Sequence, residues 1–123
     1  MNVIPNDRIV EAFKAAGLDV EEWHTGGGCM NVAVVLRRGG SPTTYDGVPD
    51  GTRQADRWLM FCAGGFHPDE PVVGLYDENE GHLAGPRSGE PVREWDLSDV
   101  RTLAALVART REIVAEAAEG GPT

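Results

Sequence analysis

The sequence predicts an α+β fold in which an antiparallel β-meander of four to five strands lies between two helices. Three observations predict it. Apolar residues recur at helical spacing near both ends of the chain, apolar runs of strand length fill its middle, and glycine- and proline-containing turns separate those runs. A sheet and an amphipathic helix each need to bury one apolar side. Both helices are therefore expected to pack on one face of the sheet, with the long helix at the C-terminal end.

The first helix is predicted to begin at Asn6, since an asparagine side chain at the N-cap accepts a hydrogen bond from a backbone N–H of the first turn. Ile9, Phe13 and Ala16 then share one face at helical spacing. Gly17 stands where a residue in the left-handed conformation commonly ends a helix. We therefore expect the helix to end there.

The middle of the chain contains the predicted strands. The valine-rich run at 30–36 is expected to be a central strand that is buried on both faces. A glycine run precedes it, and a long polar connection at 37–56 follows it. The predicted strands are residues 19–24, 30–36, 57–62, 71–76 and 92–97, with a short edge strand at 82–84.

The closing helix has the clearest pattern. Ser98 is the predicted N-cap, and Asp99 in the first turn would favour the helix dipole. Gly120 is expected to end the helix, and residues 119–123 are expected to form a disordered tail. The apolar stripe at helical spacing is predicted to consist of Val100, Leu103, Val107, Thr110, Val114 and Ala117.

Length and charge limit the classes of function. At 123 residues the chain is predicted to be a single globular domain spanning positions 1–123. A formal net charge of −9 argues against binding to nucleic acid or to an anionic membrane surface, but it permits a basic partner. A basic region followed by an apolar segment is not seen at the N-terminus, and every apolar run is too short to cross a bilayer. The expected location is the cytoplasm.

Two short segments mirror each other, and they contain both cysteines of the chain and two of its three histidines. His24 is joined to Cys29 through a threonine and three glycines, and Cys62 is joined to His67 through a short segment that contains two glycines. Consecutive antiparallel strands alternate in direction, so the connections after His24 and after Cys62 are at the same end of the meander. We expect the four side chains to lie in one neighbourhood.

Three interpretations of this cluster are open. Two Cys and two His are a known ligand set for structural zinc, although each pair here mixes the two residue types at an unusual spacing. Alternatively, Cys29 or Cys62 is a nucleophile activated by His24 or His67. In the third interpretation the cysteines are small buried core residues, and the protein has no cofactor.

The glycine run Gly26, Gly27 and Gly28 predicts a sharp turn or a close approach of another group to the backbone. Each glycine costs about 0.5–1 kcal/mol of chain entropy relative to alanine, and an ordinary hairpin does not need three. A phosphate-binding loop is not indicated, because no Lys-Ser or Lys-Thr follows and a strand rather than a helix comes next.

Three segments, at 23–30, 73–77 and 95–99, together resemble small uncharacterised proteins of actinobacteriophages, of the mycobacteriophage accessory type. The resemblance is carried by Trp-His-Thr-Gly-Gly-Gly-Cys-Met, Val-Gly-Leu-Tyr-Asp and Trp-Asp-Leu-Ser-Asp. It implies an accessory protein that acts by binding a host or phage protein. It implies no cofactor and no site residue.

The expected function is that of a small acidic, non-enzymatic protein-binding module. The alternative is a metal-supported domain or a small thiol enzyme that uses the cluster of His24, Cys29, Cys62 and His67. A homodimer is a further expectation, formed through an edge strand or through tryptophan surfaces.

Overall fold

A computed structural model describes residues 3–24, 30–38, 55–77 and 91–120. Within these residues five strands form one antiparallel sheet in the order β1-β2-β3-β4-β5, which confirms the predicted α+β meander. The predicted edge strand at 82–84 lies outside the described residues. The elements are α1 (Asn6–Ala15), β1 (Val20–His24), β2 (Met30–Arg38), β3 (Ala55–Ala63), β4 (Val72–Asp77), β5 (Arg93–Asp96) and α2 (Leu103–Gly120).

Both helices pack on one side of the sheet, as predicted, and we call this side the helix-covered face. Period-two alternation along each strand sends one set of side chains to this face. On β3, for example, Leu59 and Phe61 join the core beneath the helices, whereas Trp58 and Met60 lie on the opposite face. The helices contribute these buried side chains to the core: Ile9, Phe13, Leu106, Ile113 and Ala117.

Helix α1 ends as predicted but begins differently. Gly17 has φ +85°, the Leu18 N–H donates to the Phe13 carbonyl at 2.9 Å, and the Gly17 N–H donates to Lys14 at 3.0 Å. This is the Schellman arrangement, in which two of the last carbonyls of the helix are satisfied. The predicted N-cap at Asn6 is wrong: Pro5 is the N-cap residue, and the Asn6 Nδ2 donates instead to the Met30 carbonyl at 3.1 Å.

Helix α2 begins later than its sequence predicts. Ser98 is not the N-cap, because its N–H donates to Asp96 Oδ1 at 2.8 Å in a turn that follows β5. This turn allows both Leu97 and Val100 to enter the core. Thr102 caps the helix instead, with its Oγ1 accepting a hydrogen bond from the Ala105 N–H at 3.1 Å.

The buried stripe of α2 is also shifted. Leu106, Thr110, Ile113 and Ala117 are buried, whereas Leu103, Val107 and Val114 border the stripe and are half-buried. The two predicted members that are buried along the helix itself are therefore Thr110 and Ala117. The helix includes positions 119 and 120, which were expected to belong to the tail, and residues 121–123 lie outside the described part. No helix in the described ranges is long and apolar enough to span a bilayer.

A buried ion pair ties the sheet to the end of α2. Arg57 on β3 and Asp77 on β4 are cross-strand partners, exposed by only 5% and 1%. The Arg57 guanidinium donates to Asp77 Oδ2 and to the Ala117 carbonyl, the latter at 2.7 Å. Arg37 also reaches Asp77, at 3.2 Å, from a half-exposed position. Since Ala117 lies in the last turns of α2, Arg57 also neutralises the negative end of the helix dipole.

Candidate functional site

The structure describes the backbone at two positions of the predicted His–Cys cluster, and both positions lie at one end of the sheet. His24 is the last residue of β1 and pairs with Met30, and Cys62 lies on β3 beside Ala63, which pairs with Asn31. The backbones of His24 and Cys62 are therefore at the same end of the meander. The side chains of both residues, and all of 25–29 with Cys29 and the three glycines, lie outside the described part. Convergence of the four side chains stays a prediction.

His67 is the one member of this cluster whose side chain is described, and it is half-buried in the loop after β3. A Cβ placed on Gly64 would lie 3.6 Å from its Nε2. Among the side chains that the structure describes, no group of three or more His, Cys, Asp or Glu is arranged to hold a metal ion.

A close backbone approach of the kind predicted for the first glycine run occurs in the second segment, at Gly65. Ile4 and Phe66 form an isolated antiparallel bridge, with N–H···O distances of 3.1 and 2.9 Å. Gly65 lies beside it with φ +131°, and a Cβ there would be 2.2 Å from the Ile4 carbonyl oxygen. The bridge holds the residues before α1 against the loop after β3. In the sequence, this close approach was signalled by the Gly-Gly pair in the Cys62–His67 segment.

The face of the sheet opposite the helices carries an aromatic cluster. Trp23 meets Trp58 edge-on at 5.3 Å between ring centroids, and Trp58 stacks on Tyr76 at 5.8 Å with 11° between the ring planes. Trp23, Trp58 and Trp95 are exposed by 6% or less. The expectation of tryptophan surfaces for a homodimer is therefore wrong, because the chain itself buries all three indole rings. An edge-strand dimer stays a prediction.

Next to this aromatic cluster is an open groove of about 530 Å³. Side chains of β3 and β4 that point away from the helices form its apolar floor. The loop before β4 and one residue of β5 form its acidic rim. The floor consists of Met60, Val72, Gly74 and Tyr76, and the rim carries Asp69, Glu70 and Glu94.

Gly74 determines the shape of the groove. A Cβ at this position would lie 3.2 Å from the Tyr76 ring and 3.1 Å from Pro91 Cβ, so the missing side chain allows both rings to close over the strand. Gly74 pairs directly with Glu94 on β5. Directly paired residues of antiparallel strands have Cβ positions about 4.5–5.5 Å apart, so the Glu94 side chain begins beside Gly74.

The charged side chains that the structure describes along the groove are all acidic. Asp69, Glu70 and Glu94 are exposed, and none of the described residues that line the groove is basic. Carboxylates beside an apolar floor provide binding for a ligand that carries positive charge next to apolar carbon. Patterns in the sequence did not indicate this site. Its residues come from four strands and a loop, and scattered acidic residues give no local signal.

On the helix-covered face, the sheet already binds a guanidinium group. The Arg93 guanidinium carbon lies 4.4 Å from the Trp95 ring centroid, and an Arg93 nitrogen is 2.9 Å from Glu116 Oε1. The Trp95 Nε1–H also donates to Glu116, at 3.3 Å. These contacts, first the Trp95 hydrogen bond and then the charge of Arg93, lower the pKa of the Glu116 carboxyl below its usual value. A tryptophan ring and a carboxylate together thus hold an arginine.

Comparison of the chain with protein-family models, with curated protein sequences and with solved structures gives no match.

Proposed function

We propose that this chain is a small, non-enzymatic protein-binding module that holds a basic segment of a partner protein in the acidic groove beside β4 and β5. The partner that fits the resemblance to bacteriophage accessory proteins is a host or phage protein in the cytoplasm. The proposal also includes a homodimer in which two copies of the chain pair through an edge strand.

The observation that supports the proposal is the combination of an apolar floor with an acidic rim in one groove. Met60, Val72 and Tyr76 offer apolar surface, while Asp69 and Glu94 place carboxylates at the edge of the same groove. A cavity of about 530 Å³ accommodates a few side chains of a peptide. The net charge of −9 adds long-range attraction for a basic segment, which mainly accelerates association.

The proposal predicts salt-sensitive binding of a basic peptide. The probe is a labelled nine-residue peptide in which basic residues alternate with leucine, and fluorescence anisotropy measures its affinity. We expect a dissociation constant on the order of 10 μM in low salt, which weakens as ionic strength rises because the rim charges are exposed to solvent. Glu94→Gln and Asp69→Asn are each expected to weaken binding about threefold to tenfold.

The matched control for these substitutions is Glu112→Gln. It removes the same charge from an exposed position on α2, which covers the other face of the sheet. An equal loss of affinity in the Glu112 variant and in the groove variants would mean that net charge alone attracts the peptide. That result, or full affinity in the Glu94 and Asp69 variants, contradicts the proposed site.

A metal-supported domain or small thiol enzyme at the His24 end of the sheet is the second candidate. The backbone register that places His24 and Cys62 at the same sheet end favours it. If zinc is bound there, elemental analysis of the purified protein should give one zinc per chain, and a chelator should lower thermal stability. Zinc well below one per chain, together with unchanged thermal stability in the presence of a chelator, would exclude a structural metal. Thiol titration at several pH values then decides whether a cysteine is reactive.

A further inference from the structure

We infer that Ile4, in the segment before α1, is a positioning residue for the acidic groove. This inference rests on the proposed function, because it names the contact that holds Asp69 at the rim where a basic segment binds. The described residues that line the groove do not include Ile4, so Ile4 acts through the loop after β3 and not by touching the bound segment.

The rim residue Asp69 lies in a tight turn of that loop. The Glu70 N–H donates to the His67 carbonyl at 3.0 Å, which closes a four-residue turn with Pro68 and Asp69 at its centre. Proline fixes its own φ and is favoured at the second position of such turns. The turn therefore moves as one unit, and the position of Asp69 depends on how the two ends of the loop are held.

Backbone hydrogen bonds hold both ends of the loop. At the end next to β4, the Pro71 carbonyl accepts a hydrogen bond from the Leu97 N–H at 2.6 Å. At the other end, the Ile4 N–H donates to the Phe66 carbonyl at 3.1 Å, and the Phe66 N–H donates to the Ile4 carbonyl at 2.9 Å. Asp69 therefore lies three residues beyond a backbone contact that Ile4 makes.

The segment that contains Ile4 is itself fixed to the sheet. Asn6 Nδ2 donates to the Met30 carbonyl at 3.1 Å, and the same carbonyl accepts the Gly64 N–H at 3.0 Å. Gly65 allows the Ile4 carbonyl oxygen to lie only 2.2 Å from the point where a Cβ would be. The start of the loop and the segment before α1 are thus held against each other and against the first residue of β2.

Different contacts hold the two sides of the groove. The backbone of Glu94 is fixed by the sheet register, since this residue is the direct partner of Gly74. The backbone of Asp69 is fixed by its turn and by the Ile4–Phe66 bridge. Loss of the bridge is therefore expected to remove the contribution of Asp69 to peptide binding and to leave that of Glu94 intact. A general loss of structure would weaken both contributions.

The test is a set of double-mutant cycles on the affinity for the labelled basic peptide. Ile4→Pro removes the N–H that donates to Phe66 and keeps the charge of the chain. It is expected to weaken binding about threefold to tenfold, as Asp69→Asn does. Adding Asp69→Asn to Ile4→Pro should then cost less than about twofold, whereas adding Glu94→Gln should cost as much as in the wild type. Ile4→Val, which keeps the N–H and a branched side chain, should bind like the wild type.

Gly17→Ala is the control for lost stability alone. It strains the backbone just after α1, and the peptide affinity of the folded protein should stay that of the wild type. An equal loss of affinity in Gly17→Ala and Ile4→Pro would overturn the positioning role. Wild-type affinity in Ile4→Pro, or a full further loss on adding Asp69→Asn to it, would also overturn that role and leave the protein-binding function standing.

A second measurement uses the wild-type protein and does not depend on the folding of Ile4→Pro. Coupling is reciprocal, so a bridge that strengthens peptide binding must itself be strengthened by the peptide, and by the same factor. Saturating peptide is expected to slow amide hydrogen exchange at Ile4 and Phe66 about threefold to tenfold. Exchange at Leu18, whose N–H is bonded at the end of α1, should not change.

The exchange data and the affinities together separate the inference from the proposed function. Unchanged exchange at Ile4 and Phe66 in the peptide-bound protein would overturn the positioning role alone. If the wild type binds no basic peptide, or if Asp69→Asn and Glu94→Gln leave its affinity unchanged, the proposed function fails together with the inference.

Discussion

Replacing Gly65 with alanine is expected to lower the free energy of unfolding by about 3–5 kcal/mol, from strained backbone at about 1–3 kcal/mol and two weakened hydrogen bonds at about 1 kcal/mol each. The new Cβ would lie 2.2 Å from the Ile4 carbonyl oxygen, a distance that non-bonded atoms do not adopt. Either the Ile4–Phe66 bridge separates or the loop after β3 moves. Urea denaturation followed by circular dichroism measures the change.

Gly17→Ala is the matched control. Gly17 also has positive φ, at +85°, but nothing lies within 4 Å of a Cβ built there. It should cost only about 1–2 kcal/mol, the cost of left-handed backbone in a residue with a side chain. Similar losses in the two variants would show that Gly65 is needed for its conformation alone and that the close approach of Ile4 is not tight in solution.

Replacing Asp77 with alanine is expected to cost about 3–5 kcal/mol, because it removes the buried carboxylate that the Arg57 guanidinium contacts. Arg57 is 5% exposed, and its hydrogen bond to the Ala117 carbonyl does not neutralise a full charge. Arg37 is less affected since its side chain is 44% exposed and reaches water. Chemical denaturation of the variant and the wild type gives the difference.

A double-mutant cycle separates the interaction between the two charges from the cost of burying each charge. In Arg57→Met with Asp77→Leu, both charges are gone, and the combined loss should be clearly smaller than the sum of the two single losses. Glu112→Gln, which removes one partner of an exposed pair with Arg109, should change stability by less than about 0.5 kcal/mol. Additive losses in the cycle would contradict a coupled buried pair between Arg57 and Asp77.

The two substituted positions, Gly65 and Asp77, differ in how they are placed relative to the groove. The bridge at Gly65 secures the loop after β3, and that loop continues to Asp69 and Glu70 at the groove rim. A folded Gly65 variant with a displaced loop would therefore also bind the basic peptide more weakly. The Arg57–Asp77 pair lies toward the other end of β4, on the helix-covered face.

The sequence was sufficient for the fold class, because alternation along strands and helical spacing are local patterns that tertiary contacts rarely reverse. Five of the predicted strand segments, the assignment of β3 side chains to two faces and the left-handed Gly17 follow from such patterns. Helix starts did not follow from them. Asn6 and Ser98 are suitable caps in isolation. Asn6 instead lies inside the helix with its Nδ2 donating to the Met30 carbonyl, and burial of Leu97 and Val100 displaces the cap from Ser98.

The acidic groove depends on strand register and on the packing of Tyr76 and Pro91 over Gly74, neither of which has a local signature. Glu94 becomes a neighbour of Tyr76 only because β5 pairs with β4 as it does. Likewise, a Cβ at Gly65 would collide with the Ile4 carbonyl only because Ile4, from the segment before α1, returns to pair with Phe66. By itself, the sequence determined the element types and the acidic character of the chain. The tertiary structure decided the helix starts, the close backbone contact and the groove, because each depends on atoms that only long-range packing brings together.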